Sequence, residues 1–130
     1  MTTGYNVVDS SAWLEFLDDG PNADDFAPAI ENTSKLIVPT VVITEVLRRL
    51  EASERRQLVP DVLAQMRRGT VVPYDGQLAV EAVVLGRRHR LALADSMIFA
   101  TARQCLATVW TQDEDFQALP DVEYRPHRSR

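Results

Sequence analysis

The chain has 130 residues, 45% hydrophobic and 25% charged, which suits one folded domain over residues 1–130. A single cysteine, Cys105, excludes an internal disulfide framework and a cysteine-rich zinc site. The net charge of −5 argues against a protein that coats nucleic acid through a broad basic surface.

Tyr5–Asp9 is a short apolar run ending in an acid and reads as a buried strand. Ser10 or Ser11 is expected to cap the next helix, which carries Trp13, Leu14, Phe16 and Leu17 on its apolar side. Asp18-Asp19-Gly20-Pro21 breaks that helix, and Asn22 to Asn32 reads as a second, acidic at its start. Lys35–Val38 is a strand closed by Pro39, followed by a helix from Thr40 to about Glu51. A helix beginning at Ser53 or Pro60 runs to Gly69, and Val71-Val72 is a minimal strand stopped by Pro73. Asp75–His89 and Leu93–Leu106 are strongly helical in pattern. Thr108–Trp110 is a strand, with Thr111 beginning a loop and one helical turn expected over Asp113–Leu119. Val122–Tyr124 reads as a final edge strand before a basic tail. Short apolar strands alternating with helices indicate an α/β fold with a parallel sheet covered on both faces.

No apolar stretch approaches the length of a membrane span. Met1 to Asn6 lacks the basic and apolar regions of a signal peptide, so a cytoplasmic protein is expected. Charge is segregated along the chain. Residues 1–47 carry a net of −7, residues 48–103 a net of +4 and residues 104–130 a net of −2. Thirteen of the fourteen basic residues are arginine, and eight of these stand in pairs. Such pairs suit either solvated helix ends or phosphate contact.

Three acids sit in apolar surroundings: Asp9 after Val7-Val8, Glu45 within VVITEVL, and Asp95 within LALADSMIFA. A carboxylate there is costly to bury unless it is paired or holds a metal. In an open parallel sheet, sites form at the carboxyl ends of strands, where Asp9, Asp113 and Asp115 are expected. Each acid taken singly is equally well read as a helix cap or an ion-pair partner. Spacing alone does not join them.

VVDSSAWLEFL, VPTVVITEVLRRL, LALADSMIFATA and VWTQDEDF, in that order, resemble the PIN-domain family and, more narrowly, its VapC-type toxins of bacterial toxin–antitoxin modules. The resemblance covers essentially the whole chain. It implies a three-layer α/β/α sandwich and a ribonuclease dependent on divalent metal, with Mg²⁺ or Mn²⁺ as one or two ions. Residue by residue, it implies that Asp9, Asp95 and Asp113 are the main ligands. Glu45 binds a second ion or orients water. Asp115 either coordinates or holds a water, and Ser10 and Thr111 support the acids. Hard divalent cations prefer such oxygen ligands, and bound ions activate water and stabilise a phosphoryl transition state. Arg48, Arg49, Arg87, Arg88 and Arg90 are candidate RNA contacts. The resemblance further implies a homodimer and a small VapB-type antitoxin whose C-terminal segment crosses the acidic groove. A specific transfer or ribosomal RNA is the implied substrate.

Alternatives are a PIN-fold nuclease of RNA processing or quality control and a non-enzymatic PIN-like module. An aspartyl-phosphate protein is disfavoured, because Ser11 stands where a phosphatase needs a second Asp. His89 and His127 lack metal-ligand spacing, and Cys105 reads as a buried hydrophobe. Trp13 and Trp110 read as core or interface residues. The apolar side of the first helix, with Trp13, Phe16 and Leu17, is an alternative partner groove.

Overall fold

Five strands, each of three or four residues, pair in parallel throughout: β1 (Asn6–Val8), β2 (Leu36–Pro39), β3 (Thr70–Val72), β4 (Thr108–Thr111) and β5 (Val122–Tyr124). The computed structural model describes residues 2–130. The strand order is β3-β2-β1-β4-β5. Val7 pairs with Ile37 on one side and Val109 on the other. Central strands flanked on both faces must be apolar on both, as the fully buried LIVP of β2 is.

Six helices flank the sheet among the described residues: α1 (Ser10–Leu17), α2 (Ala23–Glu31), α3 (Thr40–Glu51), α4 (Val59–Met66), α5 (Gly76–His89) and α6 (Leu93–Gln104). This is the expected α/β/α arrangement. The first helix differs from expectation at its start. Asp9, not Ser10 or Ser11, is the cap, with extended backbone and a carboxylate that accepts from the Ala12 N–H. It sits one residue after β1, so strand and helix share no loop. Helix α5 ends in left-handed backbone at Arg90, and α5 packs closely on α6. A Cβ at Gly86 would lie 2.9 Å from the Ser96 Cβ, so glycine permits that approach.

Trp13 is wholly buried, with Phe16 edge-on at 6.4 Å. Phe16 and Leu17 are partly buried against the same core, so α1 turns much of its apolar side inward. His89 stacks edge-on against Phe99 at 5.4 Å, and Cys105 is half-buried at the end of α6. The strand after α6 runs one residue further than expected and takes in Thr111. The turn after Asp113 is a single 3-10 turn over Glu114–Phe116. No helix among the described residues is long and apolar enough to cross a membrane.

Candidate active site

The strand order reverses at β1: β2 and β3 lie on one side, β4 and β5 on the other. A crevice opens at such a switch point, outside the carboxyl ends of the strands. Here a cavity of about 490 Å³ is lined by Asp9, Ser10, Glu45, Asp95 and Asp113, with Arg48 and Arg49 at one side. Four segments far apart in sequence therefore supply acids to one hollow. Asp9 comes from the β1–α1 junction, Glu45 from the middle of α3, Asp95 from the first turn of α6 and Asp113 from just beyond β4.

Asp9 is only 3% exposed. Its Oδ2 accepts from Thr111 Oγ1 at 2.5 Å, and its Oδ1 accepts from Ser11 Oγ at 2.7 Å and from the Ala12 N–H at 2.9 Å. Burial pushes its pKa up to about 6; these three hydrogen bonds oppose the rise and the Asp113 charge adds to it. The Asp95 pKa is pushed up to about 7, first by burial and then by Asp113, Asp9, Asp115 and Glu45. Carboxylates that hold their protons toward neutrality are short of positive charge.

Thr111 also accepts from the Asp113 N–H at 2.9 Å, so one hydroxyl ties two acids together. Asp113 Oδ1 accepts from the Asp115 N–H at 2.9 Å, which folds the chain back and brings Asp115 in. Asp95, Asp113 and Asp115 each offer a carboxylate oxygen, and these three oxygens lie within 4.8 Å of one another. Glu45 Oε1 accepts from Ser10 Oγ at 2.6 Å. None of the ion pairs among the described residues uses any of these five acids. An all-oxygen, anionic donor set without a cationic partner fits a hard divalent cation.

The arginines divide. Arg48 and Arg49 stand on the last turn of α3 and line the cavity. Arg87, Arg88 and Arg90 lie at the far end of α5 and are not among its lining residues. Ser11 was not anticipated as a support for Asp9. Its only sequence signal is a hydroxyl two residues past a strand-ending acid. Trp110 is half-buried; its indole N–H donates to Asn6 Oδ1 at 2.7 Å and the Arg125 guanidinium lies over its ring.

The family profile described as PIN domain matches residues 7–122. The chain belongs to the PIN-domain family. No curated protein matches the chain at a significant level. Among solved structures, this PIN domain is similar to a chain of a toxin–antitoxin complex from Klebsiella pneumoniae, at 18% identity and a TM-score of 0.76 over 91% of this chain and 95% of that one. VapC20 of Mycobacterium tuberculosis, a toxin that cleaves the sarcin–ricin loop, is 20% identical with a TM-score of 0.74, over 93% and 99% of the two chains. A chain of DNA-bound VapBC from Salmonella typhimurium is 19% identical with a TM-score of 0.69, over 97% and 98%. At these identities the likeness establishes a shared fold.

Proposed function

We propose that this PIN domain is a divalent-metal-dependent endoribonuclease and the toxin of a toxin–antitoxin pair acting in the cytoplasm. The observation that carries this reading is the convergence of Asp9, Glu45, Asp95, Asp113 and Asp115 on one hollow without a cationic partner. Asp95, Asp113 and Asp115 would hold Mg²⁺ or Mn²⁺, with Asp9 and Glu45 completing the charge around one or two ions. A bound ion would act as a Lewis acid on the phosphoryl oxygens and lower the barrier to attack by water. Thr111 and Ser11 fix the Asp9 carboxylate, so its position costs no reorganisation during the reaction. Ser10 occupies one oxygen of Glu45 and leaves the other to orient a water and take its proton. In-line attack on phosphorus breaks the bond to the 3′ oxygen, which takes a proton from solvent. The products are a 5′-phosphate and a 3′-hydroxyl. Arg48 and Arg49 would hold the flanking phosphates.

Similarity to chains of toxin–antitoxin complexes supports a partner antitoxin. The acidic hollow would draw a basic segment of that antitoxin. A second copy of this chain would dock on the outward face of α5, where Val80, Val83 and Val84 are 67%, 71% and 50% exposed. A two-fold axis through that face would bring the same valines of both copies together.

The test is induction of the wild type and of Asp95→Asn in cells, followed by mapping of new RNA 5′ ends. Growth arrest with discrete cuts in the wild type alone is expected. Equal growth of both, or divalent-dependent RNase activity undiminished in Asp9→Ala, overturns the reading. A short reading frame beside the gene that encodes a DNA-binding protein would mark the antitoxin.

A further inference from the structure

We infer that the C-terminal segment after β5 is a strap that positions the Asp113 turn, with Asn22 and Arg128 as positioning residues. The inference rests on the reading of the acids given above. Asn22 is 2% exposed and stands between the first two helices. Its side-chain amide makes three hydrogen bonds, all to groups 90 or more residues away in sequence. Nδ2 donates to Gln112 Oε1 at 3.0 Å and to the Pro126 carbonyl at 2.9 Å, and Oδ1 accepts from Arg128 Nε at 2.8 Å. Arg128 also donates to the Pro21 carbonyl at 2.6 Å, and Arg130 donates to the Asp18 carbonyl at 2.5 Å. The backbone N–H of Arg125 donates to the Thr111 carbonyl at 2.9 Å, so the strap starts on the strand that carries Thr111.

Gln112 is the residue through which this reaches the site. It lies between Thr111, which supports Asp9, and Asp113. Its N–H donates to Ser11 Oγ at 3.2 Å, and Ser11 donates to Asp9. With its side chain held by Asn22 and its backbone held by Ser11, Gln112 sets where the chain leaves β4. That direction decides where Asp113 and Asp115 stand relative to Asp95. Carboxylates that repel one another gain from such outside restraint, which adds to the hydrogen bonds through Thr111 and the Asp115 N–H. The guanidinium of Arg128 binds only a carbonyl and an amide oxygen among the described residues, so it acts by geometry and not by neutralising an acid.

The experiment compares wild type, Arg128→Ala, Gln112→Ala and the double variant. Mn²⁺ binding is measured by calorimetry, and amide exchange and thermal stability are measured in EDTA. Arg128→Ala is expected to weaken Mn²⁺ binding about tenfold, as loss of an outer support of a metal site does. Exchange at Gln112 and Asp113 should quicken severalfold while that at Val7 and Val109 stays unchanged. The double variant should bind Mn²⁺ no more weakly than the worse single one, because both cut the same connection. Unchanged Mn²⁺ affinity with unchanged exchange in Arg128→Ala, or fully additive losses, overturns the strap. If the wild type itself takes up no Mn²⁺, the reading of the acids fails, and amide exchange in EDTA still decides the strap.

Discussion

Asp95→Asn removes one charge from the cluster and keeps the side chain's shape. In the metal-free protein that charge is a burden: the Asp95 pKa stands at about 7 against 3.8 for the free side chain. Three units correspond to about 4 kcal/mol as a ceiling, at 1.36 kcal/mol per unit. Asp95 is only half-buried, and solvent screening brings the expected gain to about 1–2 kcal/mol. For a chain of this length that raises Tm by about 4–8 °C. Between about pH 4 and 7, folded Asp9 and Asp95 retain protons that the unfolded chain has released, so wild-type stability falls as pH rises through this window. The variant's advantage is therefore full at pH 8, falls to about a third at pH 5 and is gone near pH 4. Saturating Mn²⁺ reverses the order, because only the wild type keeps the full set of ligands; binding at a hundredfold excess over Kd adds about 2.7 kcal/mol. The assay is thermal unfolding by circular dichroism at pH 5 and pH 8, in EDTA and in Mn²⁺. An Asp95→Asn protein no more stable than wild type at pH 8 in EDTA would refute the reasoning.

Thr111→Val deletes the hydroxyl that bonds Asp9 and receives the Asp113 N–H. It should cost about 1–3 kcal/mol in urea unfolding and lower nuclease activity at least about tenfold. Replacing Arg48 and Arg49 with alanine should leave Tm unchanged, weaken RNA binding and reduce the slope of log affinity against log salt by about 1–2. Gly20→Ala should destabilise the protein by about 2 kcal/mol, read by denaturant midpoint, because its Cβ would collide with the buried Glu15 carboxylate. Val83→Asp should halve the mass measured by sedimentation at micromolar concentration without altering the circular dichroism spectrum.

The strands and helices were legible because each apolar run is bounded by proline, glycine or polar residues, as KLIV is by Pro39. Asp9, Glu45, Asp95 and Asp113 were recognisable as candidates because each is an acid amid apolar residues or just past a strand. Their meeting in one hollow was not readable from spacing, since it depends on β1 lying between β2 and β4. The helix cap falls on Asp9 and not on a serine because β1 ends at Val8, one residue before the acid that closes the apolar run. Its carboxylate instead turns back to Ala12 and still takes hydrogen bonds from two hydroxyls. The link from Asn22 to Gln112 spans 90 residues between two unremarkable amides, and no local pattern marks it. Arg87, Arg88 and Arg90 resembled Arg48 and Arg49 in composition, but helix direction carried them to another part of the molecule.

The place of β1 in the sheet also governs when the site can come into being during synthesis. A nascent chain that has emerged only as far as α6 already holds Asp9, Glu45 and Asp95, yet it lacks β4, Thr111 and Asp113. Its β1 has one neighbour, and the Asp9 carboxylate has lost its strongest support. Contacts across about a hundred residues must close before the hollow exists, and such pairings form late. At roughly 5–20 residues per second the ribosome adds the missing stretch within a few seconds. On the proposed reading, a chain stalled before β4 would hold no complete acid hollow, and RNA cleavage would wait until Thr111 and Asp113 had joined Asp9.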